Sequence, residues 1–228
     1  MGCNLKKYKK YFVRALDTNY PQDSFAILNE IDDAFSGIEK DIRFARSSKN
    51  PMDRRLDISG YFLALIQVLD RRGETYERIR EISLEVARAY VEPANKLHQW
   101  FKRLPVKLIG TRFSTRLLVL LDRRLKIRDH SDGFVARIVT DKQETFGLGY
   151  GVDILECGIC KLFERYDCGA FASILCEVDY ITTNLAGLEL VRSGTIATGA
   201  DKCDFRFKKT ASDRVVVQDS KESFTADR

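Results

Sequence analysis

Five of the six cysteines fall between Cys157 and Cys203, and thiols so grouped can serve as nucleophiles, metal ligands, redox partners or small buried hydrophobes. Cys157-Gly158-Ile159-Cys160 is a C-x-x-C, and Cys168, Cys176 and Cys203 follow singly. A four-thiolate zinc site usually offers two close pairs, so the single pair here speaks against structural zinc, and no metal is expected. A dithiol redox centre would place its C-x-x-C directly after a strand at a helix start, where the helix N-terminus lowers a thiol pKa. The position fits that description, but the surrounding pattern does not.

Helical geometry narrows the choice. Cys176 and Asp179 are three residues apart on a predicted helix and share one face, with Thr183 one turn further on. Phe171, Ile174, Leu175, Val178 and Ile181 form the apolar stripe beside them. A carboxylate at the margin of such a stripe is costly to bury alone, so Asp179 is expected to be paired or functional. On the last predicted strand Cys203, Phe205 and Phe207 share one face while Asp204 and Arg206 share the other. Cys176 with Asp179 is the leading candidate for chemistry, Cys157 is second, Cys203 faces the same interior, and Cys160 and Cys168 read as packing. The two histidines, His98 and His130, read as a surface or half-buried residue and a turn residue.

The elements that must position these groups come in two runs. Apolar residues at spacings of three and four predict helices over residues 5–16, from 24 to about 46 (Phe25, Leu28, Ile31, Phe35, Ile38, Ile42), 53–72 and 74–91, and two more pieces between 94 and 126. Trp100 reads as a core anchor of the first of those pieces. After the Asp132-Gly133 turn the period changes. Strands are expected at 134–139 and 146–152, helices at 156–165 and 170–185, and a closing hairpin at 188–196 and 202–208. The expected fold is α+β: an N-terminal helical layer, then a β-β-α-α-β-β unit with an antiparallel sheet. The expected divisions are residues 1–127 (helical region), 128–208 (core) and 209–228 (polar tail).

Composition excludes several function classes. Hydrophobic residues make up 44% of the chain, enough for a sizeable core, yet no apolar run approaches the ~20 residues that a membrane-spanning helix needs. The opening Met1-Gly2-Cys3, followed by Lys6 and Lys7, resembles an acylated basic anchor, but Lys6 stands where the myristoylation pattern wants Ser or Thr. A basic first helix and a cytoplasmic location are expected, with no membrane partner. The basic run from Lys102 to Arg128 is interleaved with leucines at helical spacing, as a solvated face opposite a core face would be, so no nucleic-acid partner is expected. The net charge of +5 suits an anionic small molecule equally well.

Several motifs occur in order along the last third. They are Cys157 near a helix start, Leu175-Cys176-x-x-Asp179, Arg192-x-x-Thr195-Ile196-x-x-Gly199 and Cys203-Asp204-Phe205-Arg206. Together they resemble the L-2-amino-thiazoline-4-carboxylic acid hydrolase family. The step Gly199 to Cys203 is also similar to the end of vinyl-reductase-type ligand-binding domains, without the extra Cys or Glu of their zinc-binding members. Ser193-Gly194 and Ala200 depart from the family pattern, which bears on the particular substrate more than on the fold. The resemblance implies a hydrolase acting on a small, carboxylate-bearing heterocycle without a cofactor. Cys176, Asp179, Cys157 and Cys203 would be the catalytic group, and Arg192, Thr195, Arg206 and Asp204 would bind substrate. Thiolate attack at the carbon between ring nitrogen and ring sulfur, or water attack assisted by Asp179, would open the ring. The alternative is a non-catalytic small-molecule-binding or regulatory module. The oligomeric state stays open, a homodimer included.

Overall fold

A computed structural model describes residues 5–92 and 112–209. Expectations about His98, Trp100, the first of the two pieces between 94 and 126, and the tail beyond 209 lie outside the described residues. Helix α1 (Leu5–Asn19) buries Phe12, Ala15 and Leu16, and α2 (Ser24–Ile42) buries Ile27, Ile31, Phe35, Ile38 and Ile42. The stripe on α2 begins one residue before Leu28, and Phe25 is 77% exposed, so it lies off the core face. Helix α2 ends at Ile42 and tightens into a 3-10 turn, Arg43–Arg46.

Helix α3 (Arg55–Arg71) is buried on nearly every side, from Leu56 through Leu69. A helix that is apolar all round belongs at the centre of a bundle. It packs against α1, α2 and α4 (Tyr76–Val91), and it also contacts the sheet-bearing half. The expected start at residue 53 is a 3-10 turn, Pro51–Arg54, capped by the Asn50 side chain, which accepts from the Met52 N–H. Gly73, at φ +83, ends α3 in a left-handed turn that an L-residue would adopt only with strain. Helix α5 (Arg112–Leu125) lies against strand β1 (Val135–Val139), where the Asp122 carboxylate accepts from the Ile138 N–H.

Strand β2 runs Gly151–Glu156, later than the expected 146–152. The reason is local. Asp141 accepts from the N–H groups of Gln143 and Glu144, and Phe146, Gly147 and Gly149 all take positive φ, so the chain turns there and extends only afterwards. Strands β3 (Leu188–Val191) and β4 (Cys203–Lys209) complete an antiparallel sheet in the order β1-β2-β4-β3. The connection between them contains a 3-10 turn, Ile196–Thr198. Helices α6 (Gly158–Arg165) and α7 (Ala172–Leu185) fill the link between β2 and β3, and the fold is α+β.

Two side chains from the 48–53 loop join the halves. Buried Asn50 donates through Nδ2 to the carbonyls of Leu125, Ile127 and Phe134 at 2.8–3.1 Å. Buried Asp53 accepts from the Phe134 N–H at 2.7 Å and from the Ser48 hydroxyl.

Candidate active site

Register decides which strand residues face the helices. Ile154 pairs with Cys203 and Val152 with Phe205, which puts these four side chains on one face. Asp153 pairs with Asp204 and with Arg137, so those three point to the other face. The first face closes a cavity of about 370 Å³ whose wall includes Cys157, Cys160, Cys176, Cys203, Asp179 and Arg55. Helices α3, α6 and α7 and strand β4 each contribute to it. Helix α7 is held in place from α4, where Arg80 forms a forked ion pair with Glu177 and Tyr76 stacks on Phe171.

Cys157 is the residue immediately before α6, in extended conformation, and Gly158 begins the helix. A β-carbon at Gly158 would sit 2.9 Å from the Asp132 carbonyl oxygen and 3.1 Å from the Phe134 ring, so only glycine lets the helix start this close to the sheet. The placement lowers the Cys157 pKa: the neighbouring Cys160 thiol favours its thiolate first, and the main-chain N–H groups of Cys160 and Ile159 add to that against burial. Cys160 is pushed up, by the Cys157 sulfur and by burial. Cys176 is pushed up to about 12 by burial and then by the Asp179 charge, with Arg192 opposing. Burial also raises Cys203, whose sulfur accepts from the Ile196 N–H at 3.2 Å.

Asp179 lies between two guanidinium groups. Arg192, 7% exposed, places Nη1 3.5 Å from Oδ2, while Arg55, 57% exposed, places Nη1 3.9 Å from Oδ1. Burial nevertheless dominates and raises the Asp179 pKa, with Arg55 and Arg192 acting the other way. Arg192 also donates to the Cys176 carbonyl at 3.0 Å and packs over the rings of Tyr180 and Phe205. It sits behind Asp179 rather than in the cavity wall.

The other expected binding residues have different surroundings. Thr195 is buried and caps the Ile196–Thr198 turn through Thr198. Asp204 accepts from the N–H groups of Ser193 and Gly194 and from the Ser193 hydroxyl, closing the β3–β4 connection. Arg206 donates to Asp153 at 2.9 Å, where Arg137 and Lys202 also converge on a carboxylate with no solvent exposure. None of these three belongs to the cavity wall; each stabilises the sheet or its connection.

The wall also holds thiol and cationic groups outside the expected set, of which Cys160 and Arg55 bear on the chemistry. Cys160, read from sequence as packing, lines the cavity beside Cys157. Arg55 comes from the helical half, in a first turn whose charges look like ordinary solvated ones in sequence. Cys168 is buried elsewhere, and Thr183 lines an adjoining chamber instead. Among the described residues no three His, Cys, Asp or Glu side chains are grouped to hold a metal ion, and no helix is long and apolar enough to cross a membrane.

Comparison with known families matches residues 62–207 to the model described as L-2-amino-thiazoline-4-carboxylic acid hydrolase. The matched span contains the four cavity cysteines, Asp179 and Arg192, and begins after Arg55. No curated protein and no solved structure matched the chain.

Proposed function

Because the chain belongs to the L-2-amino-thiazoline-4-carboxylic acid hydrolase family, we propose that it hydrolyses a cyclic, carboxylate-bearing substrate of the 2-aminothiazoline type in the cavity between α3, α6, α7 and β4. The observation that carries this reading is that the Cys157 thiol, the Asp179 carboxyl and the cationic Arg55 line one cavity. Those three groups supply what ring opening needs: a nucleophile, a proton carrier and a counter-ion for the substrate carboxylate.

Cys157 takes the nucleophile's role in preference to Cys176, since its thiolate forms more readily. The thiolate adds to the ring carbon between nitrogen and sulfur. The bond from that carbon to the ring sulfur breaks, and the departing sulfur takes a proton from Asp179, whose burial keeps a proton within reach. This leaves an isothiourea on Cys157. A water molecule then adds to the same carbon, one of its protons passing to the Asp179 carboxylate and the other to the imine nitrogen of the isothiourea. The carbon–sulfur bond to Cys157 breaks, the thiolate returns, and an N-carbamoyl cysteine leaves. One water is consumed. Arg55, half exposed at the cavity edge, holds the substrate carboxylate, and Arg192 keeps Asp179 oriented.

The test is turnover of 2-aminothiazoline-4-carboxylate by wild type and by Cys157→Ser, with mass spectrometry of the protein quenched during turnover. Loss of activity in the variant and an adduct on wild-type Cys157 are expected. Full activity in the variant would assign the attack to water assisted by Asp179. Absence of turnover by wild type would remove the substrate class.

A further inference from the structure

The reacting cavity does not end at Arg55 and Asp179. A second chamber of about 430 Å³ opens beyond them, and the two share Arg55, Ile154, Asp179, Thr182 and Phe205 as common wall. Apart from Thr183 its remaining lining is mainly apolar, with Leu121 and Leu125 from α5, Val152 and Phe207 from the sheet, and Leu188 at the start of β3. Tyr150 adds an aromatic wall, and its ring stacks on Phe207 at 5.5 Å.

A single five-membered ring with a carboxylate needs little of this space. Cavities of ~300–1,000 Å³ are the size that holds ligands of drug-like dimensions. Each chamber alone falls in that range. The two chambers differ in chemistry as well. The inner one carries four thiols among apolar residues such as Phe62 and Phe134, whereas the outer one has no thiol and is walled mainly by aliphatic and aromatic carbon. The guanidinium of Arg55 lies at the wall between them, with Asp179 as its ion-pair partner at 3.9 Å and more than half its side chain exposed. That is where a carboxylate would sit if the molecule extended both ways.

We infer that the substrate is bipartite: a reactive heterocyclic head in the inner chamber, a carboxylate at Arg55, and an apolar tail occupying the outer chamber. The tail is an alkyl or aryl substituent on the carbon beside the one that bears the carboxylate. This deepens the proposed hydrolase function and rests on it for the identity of the head. The shape of the bound molecule can be measured without turnover.

Binding of straight-chain carboxylates from butanoate to decanoate to the full chain, measured by calorimetry, reads the outer chamber directly. Burial of a methylene contributes about 0.8 kcal/mol, or roughly fourfold in Kd for each one added, until the chamber is full. Ala186→Phe, at the end of α7 in the outer wall, should flatten the chain-length dependence, as should Val152→Trp; retained melting temperature shows which variant is folded. Arg55→Gln should weaken every member by a similar factor and leave the dependence on length intact. Kd values independent of chain length, or unchanged by a folded outer-chamber variant, would overturn the inference even if the unsubstituted thiazoline is turned over. Conversely, a steep series together with no turnover of any thiazoline, tailed or not, would sink the hydrolase reading and leave the two-chamber ligand standing.

Discussion

Arg192 donates to the main-chain carbonyl of Cys176 at 3.0 Å, and so ties the end of β3 to the middle of α7. The same guanidinium reaches Asp179 and lies over two aromatic rings, a combination that a lysine ammonium cannot reproduce. Removing its charge takes away one of the two cations that oppose the upward shift of Asp179. Arg192→Gln should therefore move the pH–rate limb belonging to Asp179 to higher pH, while Arg192→Lys leaves it closer to wild type. A limb that does not move in Arg192→Gln would show that Asp179 is not the titrating group.

The thiol pair gives a second test. Cys157 lies below the ordinary thiol range chiefly because of Cys160, so iodoacetamide should label Cys157 first and at a pH below the usual ~8.5 for a free cysteine. Cys160→Ala removes the largest favourable contribution and should raise the pH at which labelling begins. Peptide mass spectrometry identifies the modified residue. Preferential labelling of Cys176, which is held up to about 12, would contradict the assignment of the nucleophile.

The outer face of the sheet should control acid stability. Hydrogen bonds from Lys202, Arg137 and Arg206 hold the Asp153 pKa down to about 2 in spite of its burial. The unfolded chain binds that proton more readily, so the contribution is fully present above pH ~4 and is lost as pH falls toward 2. It amounts to about 2 kcal/mol. Asp153→Ala, which leaves buried Arg206 without this partner, should cost about 3–5 kcal/mol at neutral pH and flatten the acid limb of the stability curve. Urea titrations of both proteins between pH 2 and 7 measure the difference; parallel curves would refute the assignment.

Asn50→Ala is expected to be the most damaging single loop substitution. It removes the donor to three main-chain carbonyls and the acceptor for the Met52 N–H. Leaving buried carbonyls unpaired costs ~1–3 kcal/mol each where water cannot replace the donor. A loss of more than about 2 kcal/mol in denaturant midpoint experiments is expected. Asn50→Asp, which keeps the acceptor but not the donors, should be destabilised similarly.

How far the sequence reveals this arrangement depends on what each residue's pattern records. Helices α2 and α4 bury one stripe, and periodicity finds a stripe, although Phe25 shows that it does not find the stripe's exact start. Helix α3 is buried all round, so its period is faint and its place at the centre of the bundle is set by neighbours rather than by spacing. Strand β2 was legible as a strand but not in position, because consecutive positive-φ residues from Phe146 make a turn from what reads as an extended run. Cys157, Cys176, Cys203 and Asp179 meet because helix and strand periods place them on facing sides, and both periods are visible in sequence. Arg55 is not legible in the same way. It reaches the cavity through the packing of α3 against the other half, and a charge in the first turn of a helix carries no mark of what lies opposite it.

The Asp53–Phe134 hydrogen bond has a consequence for biosynthesis. Its partners are 81 residues apart, and the Asp53 carboxylate is buried in the finished protein. At ~5–20 residues per second, the ribosome makes Phe134 on the order of ten seconds after Asp53. Throughout that interval Asp53 and Asn50 have only their local partners, the Ser48 hydroxyl and the Met52 N–H, and water must serve the positions that Leu125, Ile127 and Phe134 later fill. The α3 end that carries Arg55 thus gains its tie to the sheet only once β1 has been made. The last wall of the site closes only when the sheet has begun to form.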